Sequence, residues 1–316
     1  MPLAGPDPDV LPQSPPIAIF IYRRPGLVRP LLACLAPHRP QTIWIIADGP
    51  RGPAEAPICD AARRAVEESI TWPCRVERVY ADRNLGLKKR LETGLDELFS
   101  KEKEAVILED DCHPSVDFLP FCREMLIRYR EQTTVAGISG NCFLSGKALL
   151  DTDYFFSRYL HIWGWATWAR AWKDYRNFPQ PWPKDGFRHL FPSAPGPETA
   201  YWNRIFRRMQ KGEIQTWDYP WLAHFWFRDW VSITPAQNLV SNVGLGPDAT
   251  HTRDASVDLG IRRTGPLRPP YRGPSRIELD ERLDHEVFAN HFLRSEGRLR
   301  LWPRLFRSFR KRVGFA

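Results

Sequence analysis

Three consecutive acids, Glu109, Asp110 and Asp111, follow directly on the apolar run Ala105-Val-Ile-Leu108. Carboxylates crowded at the end of a buried strand repel one another and lose solvation unless a cation sits among them. A hard divalent ion satisfies such oxygens and keeps coordination positions open for a diphosphate. There it stabilises charge developing on a phosphate leaving group. Alternation along an extended chain puts Glu109 and Asp111 on one side and Asp110 on the other. Taken alone, the triplet also fits a solvated acidic turn that closes a strand.

Three more segments carry residue types suited to the same chemistry: Tyr22-Arg23-Arg24-Pro25, Asp48-Gly49-Pro50-Arg51 and Asp82-Arg83-Asn84-Leu85-Gly86-Leu87. The forked donors of Arg23, Arg24 and Arg51 suit a diphosphate. Asp48 can accept an N–H from a nucleobase, and Tyr22 is a further candidate for holding the nucleotide sugar. Asn84 and Gly86 can open a helix whose amide dipoles face phosphate. Singly, Asp-Gly-Pro is a turn and Asn-x-Gly a helix cap.

These segments must be held by strands. Ile17–Tyr22, Thr42–Ala47, Arg75–Tyr80, Ala105–Leu108 and Val135–Ile138 are short runs rich in β-branched and aromatic residues, the third patterned as an edge strand. Helical stripes lie between them: Leu27, Leu31, Leu32 and Leu35; Leu87, Leu91, Leu95 and Leu98; Phe118, Phe121, Cys122, Met125 and Tyr129. Such alternation predicts an α/β fold, a Rossmann-like, mainly parallel sheet flanked by helices. Ligands of such sheets bind at the carboxyl ends of the strands, where every segment above falls.

The second half changes character. Ten of the 13 tryptophans lie between Trp163 and Trp230. The spacing predicts helices over 198–210 and 217–228. In His161-Ile-Trp163-Gly164-Trp165-Ala-Thr-Trp168, flat rings with N–H handles suit the C–H faces and hydroxyl rims of sugars, and Gly164 permits close backbone approach. Trp165, Trp168 and Trp172 also have helical spacing, so most of these rings are expected in the core, with one or two facing a sugar. The division expected is a disordered lead-in over 1–16, a nucleotide-sugar-binding half over 17–150, a Trp-rich acceptor half over 151–260, and a Pro/Arg linker with a basic amphipathic tail over 261–316.

In this order, the segments at 20–25, 47–49, 84–87, 108–111, 163–165, 216–218 and 251–252 resemble the GT-A-fold glycosyltransferases. The chain looks closest to bacterial family-2-like sugar transferases. It is also similar to the N-acetylglucosaminyltransferase of N-glycan branching, which carries a Glu-Asp-Asp form of the fold's Asp-x-Asp motif. The resemblance covers about residues 17–255. It implies Asp111 as direct ligand of Mn2+ or Mg2+. Asp110 would share the metal or hold the donor ribose, and Asp48 would meet the base. The Trp163-Gly164-Trp165 segment would line the donor sugar. His251 would complete the metal–diphosphate site, although it also fits a surface loop.

Direct displacement at a sugar carbon needs a base for the acceptor hydroxyl, across the sugar from the metal. Asp218, in Thr216-Trp-Asp-Tyr-Pro220, matches the family's late acidic motif, with Trp217 where the family usually has Glu. It also suits a helix cap. Asp229 and Asp185 are held in reserve. The expectation is a metal-dependent, inverting glycosyltransferase. Its donor is a nucleotide-diphosphate sugar, UDP being favoured by the resemblance. Its acceptor is a glycan or lipid-linked molecule of bacterial surface polysaccharide or glycoconjugate synthesis. Two other classes compete. A sugar-nucleotidyltransferase usually has a Gly-rich, basic loop after the first strand, which Tyr22-Arg-Arg-Pro-Gly26 matches poorly. A glycan-binding or envelope-interaction protein is the non-enzymatic class.

Charge argues against nucleic acid as partner. Forty-five Lys and Arg against 37 Asp and Glu give +8. The last 26 residues, with seven Arg and Lys311 against Glu296, carry +7 of it. A body at +1 offers no basic track. In the tail, Trp302, Leu305, Phe306, Phe309 and Val313 form one helical stripe flanked by Arg. Its ~18 Å cannot cross a bilayer, but residues 302–315 suit an anionic membrane surface. Packing on the body or on another subunit competes with that reading. Six cysteines without a Cys-x-x-Cys pair, no apolar leader and no apolar run of ~20 residues suggest a cytoplasmic protein, peripheral on the inner face of the plasma membrane.

Overall fold

The computed structural model describes residues 14–144, 150–175, 186–244 and 263–293. His251, Asp185, Trp182 and the 302–315 stripe lie outside the described residues.

Strand β1 (Ile17–Ile21) is buried along its whole length. Helix α1 (Pro25–Leu35) follows, opened by a proline whose preset φ suits a first turn and burying Val28, Leu31, Leu32 and Leu35. Then come β2 (Thr42–Ala47), α2 (Ala56–Ser69), β3 (Arg75–Tyr80), α3 (Leu87–Lys101) and β4 (Glu104–Glu109). The four strands are mutually parallel in the order β3-β2-β1-β4. β3 forms the sheet edge, which accounts for its mixed burial. Alternate residues feed opposite faces: Ala18, Phe20, Trp44, Ile46 and Ile107 enter one core cluster, Ile17, Ile19, Ile43, Ile45, Val106 and Leu108 the other. The α/β architecture expected from the sequence is the one observed.

The sheet continues through the Trp-rich half. β6 (Val135–Ser139) and β9 (Val231–Pro235) run parallel to each other, and β8 (Trp165–Trp168) lies antiparallel between β4 and β6. β7 (Tyr154–Ser157) closes the far edge antiparallel to β9, giving an eight-stranded sheet. The helical spacing of Trp165 and Trp168 is therefore misleading. Trp165 opens a four-residue strand and Trp168 ends it, and α5 (Ala169–Trp172) begins only afterwards. An odd separation in a strand sends the two rings to opposite faces: Trp165 joins one core cluster and Trp168 the other. Ladder bonds to two neighbouring strands outweigh a periodicity that two rings cannot specify.

Helices α4 (Phe118–Arg128), α6 (Gly186–Leu190), α7 (Gly196–Gln210) and α8 (Asp218–Phe227) flank the sheet. A ribbon of β5 (Cys112–Pro114) and β10 (Val240–Asn242) sits at its end. Within the stretch read as a linker, Leu267 and Tyr271 are buried. Helix α9 (Glu281–Val287) is fixed by a buried carboxylate: Asp284 accepts hydrogen bonds from Ser157 Oγ and from the backbone N and Nε of Arg158, the latter two at 3.1 Å. No described helix is long and apolar enough to cross a membrane.

Candidate functional site

All the loops singled out above lie at the carboxyl ends of β1, β2, β3 and β4, as a parallel sheet requires. Register aligns Phe20 with Glu109 and Ile21 with Ala47. The residues after each strand therefore meet on one rim.

Tyr22, Arg23 and Arg51 gather around Glu55, a residue no sequence signal had marked. Tyr22 Oη and Arg23 Nη1 donate to its carboxylate, the latter at 3.0 Å, and the Arg51 amide donates at 2.9 Å. Burial, reinforced by Glu55, pushes the Tyr22 hydroxyl up to about 12. The Arg51 guanidinium lies 5.9 Å from the Tyr22 ring centroid.

Asp48 is engaged with the chain itself. Its oxygens accept from the Gly49, Leu85 and Gly86 amides at 2.8, 2.8 and 3.1 Å and from Asn84 Nδ2 at 2.9 Å. It thereby clamps the loop that opens α3. Gly49 allows the clamp, because a Cβ there would lie 2.5 Å from the backbone of Arg83. Gly86 takes φ +78° as the residue before α3, a conformation that favours glycine. One turn into α3, Arg90 is buried within the field of Asp48, with no partner for Nε or Nη2 among the described residues. Its burial lowers its pKa, and Asp48 opposes the shift. A cation with idle donors on this rim suits an anionic or carbonyl-bearing ligand. Its helical position, amid leucines, concealed it in the sequence.

The acid triplet is the electrostatic centre. Arg24 reaches across from the end of β1 and forks onto Asp110, with Nε 3.3 Å from Oδ2 and Nη2 on Oδ1, while Nη1 lies 3.0 Å from Asp111 Oδ2. Asn242, on β10, donates to Asp111 Oδ1 at 3.3 Å. Gly244 passes so close that a Cβ would fall 2.1 Å from Asp111 Oδ2. Burial, then the neighbouring Asp111 and Asp110, pushes Glu109 up to about 8, although part of its surface is open to solvent. Burial likewise raises Asp110 to about 6 against the opposing pull of Arg24.

Asp218, the first residue of α8, lies within electrostatic reach of Glu109 and adds to its upward shift. Thr216 Oγ1 donates to Asp218 Oδ1. The capping role that the sequence also allowed is not used, since the residue before the helix is Trp217 and no side chain caps it. The Trp163-Gly164 turn borders the same end of β4: a Cβ on Gly164, which has φ +72°, would lie 3.2 Å from Leu108 Cδ2. Trp163 keeps partial exposure there, while Trp165 is 1% exposed and belongs to the core. Of the described tryptophans in this half, only Trp163 and Trp230 keep appreciable surface.

Among the described residues no group of three or more His, Cys, Asp and Glu is disposed to hold a metal ion. The donor chemistry of the triplet still fits a hard divalent cation. Carboxylate oxygens are its preferred ligands, and the raised Glu109 and Asp110 mark a cluster short of positive charge.

No protein-family model matches the chain, and no curated protein gives a significant match. Among solved structures, it is similar to the mannosyltransferase of Pyrobaculum calidifontis in complex with GDP-Man and Mn2+, at 14% identity and a TM-score of 0.38 over 70% of this chain and 72% of that one. It is also similar to 4-diphosphocytidyl-2C-methyl-D-erythritol synthase from Anaerococcus prevotii, at 11% identity and a TM-score of 0.37 over 70% and 89% of the two chains.

Proposed function

We propose that this protein is a metal-dependent, inverting glycosyltransferase. It moves a sugar from a nucleotide-diphosphate donor, a UDP-sugar by the motif resemblance, to a glycan or lipid-linked acceptor of bacterial surface polysaccharide or glycoconjugate synthesis. The observation that supports it best is that Asp218 lies within electrostatic reach of Glu109, 109 positions earlier in the chain.

Asp110 and Asp111 would hold Mn2+ or Mg2+, joined by His251. The ion, when bound, supplies positive charge for the leaving diphosphate. Arg23, Arg24, Arg51 and Arg90 offer forked donors to the nucleotide, with Tyr22 and the Asp48-braced loop at its base end. Trp163 and Gly164 border the sugar. The acceptor hydroxyl forms the new bond to the sugar carbon, its proton goes to Asp218, and the old C–O pair leaves with the diphosphate. Thr216 fixes the Asp218 carboxylate for that transfer. The protein would work in the cytoplasm, with residues 302–315 on the anionic inner membrane surface; a chain stopped at Glu296 should then lose flotation with anionic vesicles.

A thermal-shift screen of nucleotide sugars with and without Mn2+ tests the reading, because binding to the folded state alone raises Tm. A metal-dependent shift with a donor, followed by nucleoside diphosphate release on adding acceptor, is expected. No shift with any donor would overturn it. Pyrophosphate release from sugar phosphate and nucleoside triphosphate would point to a nucleotidyltransferase instead.

A further inference from the structure

We infer that Arg24 is the resident counter-cation of the acid cluster, and that a divalent ion binds by displacing it. The part concerning the donor rests on the function proposed above; the part concerning the metal does not.

Arg24 engages three of the four oxygens of Asp110 and Asp111, two through its Nε–Nη2 fork and one through Nη1. The fourth, Asp111 Oδ1, already accepts from Asn242. These are the oxygens a hard cation would take. A guanidinium and a divalent ion sharing them would face each other at contact range with little solvent between, since the side chains of Asp110 and Asp111 are only 3% and 12% exposed. One cation must yield. Arg24 is built to do so. Its backbone is anchored where Pro25 opens α1, with Leu27 N donating to its carbonyl at 3.1 Å, but its long side chain is 26% exposed. The head can swing to the rim without disturbing the helix.

The exchange conserves charge where it is needed. Without metal, Arg24 is the ion-pair partner of both Asp110 and Asp111. With metal, the freed guanidinium would lie out on the rim, where its forked N–H groups could meet the oxygens of a donor diphosphate. Metal binding thus primes donor binding through one side chain.

Mn2+ titration of the donor-free protein, followed by water-proton relaxation and by calorimetry, tests the exchange. Arg24→Met should bind Mn2+ on the order of tenfold more tightly than the native chain. Arg24→Lys, which keeps a cation, should stay near the native affinity. Without metal, Arg24→Met should melt lower, and saturating Mn2+ should recover more Tm for it than for the native protein. If Arg24→Met is folded and binds Mn2+ equally or more weakly, the exchange is wrong, while the proposed function survives on native Mn2+ binding. If neither chain binds Mn2+, the exchange and the metal dependence fall together.

Discussion

The indole of Trp165 stacks on that of Trp217 with ring centroids 5.8 Å apart and planes 27° apart. Trp165 is in register with Ile107, two residues before Glu109, and Trp217 directly precedes Asp218. The stack therefore couples the strand that ends in the acid triplet to the helix start that carries the proposed base. Both rings are 1% exposed.

Removing that stack should cost both stability and alignment. Trp217→Ala is expected to destabilise the fold by ~3–5 kcal/mol, the usual range for emptying a buried indole site. Trp217→Phe should recover much of that, because it keeps a ring in the slot. Urea unfolding curves measure both. A loss below ~1 kcal/mol for Trp217→Ala would show that the ring is not a structural anchor.

Asp218→Asn keeps shape and removes proton affinity. Its kcat for transfer is expected to fall by ~10²–10⁴, the contribution typical of a positioned base, with donor affinity little changed. Stopped-time product assays beside calorimetric donor titration separate the two. Native turnover in a folded Asp218→Asn would remove this residue from the chemistry.

Stability without metal should depend on pH through Glu109. Its folded pKa, about 8, lies above its ordinary 4.5, so between those values the folded state binds the extra proton. Stability therefore falls as pH rises through this window and levels off above about 8. Asp110, raised to about 6, steepens the lower part. Thermal melts from pH 5 to 9 should show a falling Tm for the native chain and a flatter profile for Glu109→Gln. Coincident profiles would contradict the assignment. Saturating Mn2+ should flatten the native profile too.

Gly244→Ala should disable the acid cluster without touching an acid. The added methyl would lie 2.1 Å from Asp111 Oδ2, so either the carboxylate or the chain after β10 must move. Mn2+ affinity is expected to weaken on the order of 10–100-fold, as when a residue bracing a metal ligand is lost. Unchanged affinity would show that Asp111 can relocate freely.

Much of this arrangement was legible in one dimension. The five apolar runs are all strands, and the helical stripes of α1, α3 and α4 are all helices, because burial on two faces or on one leaves its period in the sequence. Rim loops followed from strand direction alone. The misreading of Trp165 and Trp168 arose where an inserted antiparallel strand has no periodic signature of its own. Glu55, Arg90, Asn242 and Gly244 were invisible as site residues. Each takes its place through a partner 4 to 133 positions away, and ordinary residue types at unremarkable spacings do not announce such pairings.

What the sequence determined by itself was the parallel α/β frame, the acidic end of its fourth strand and the separation of charge between a body at +1 and a tail at +7. These depend on local composition and period, which chain order preserves. Tertiary structure alone decided that Arg24 sits among the carboxylates, that Asp48 is committed to its own loop, and that Asp218 approaches Glu109. Those are through-space relations, set by which strands pair and which rings stack, and electrostatic energy depends on distance in space, not along the chain.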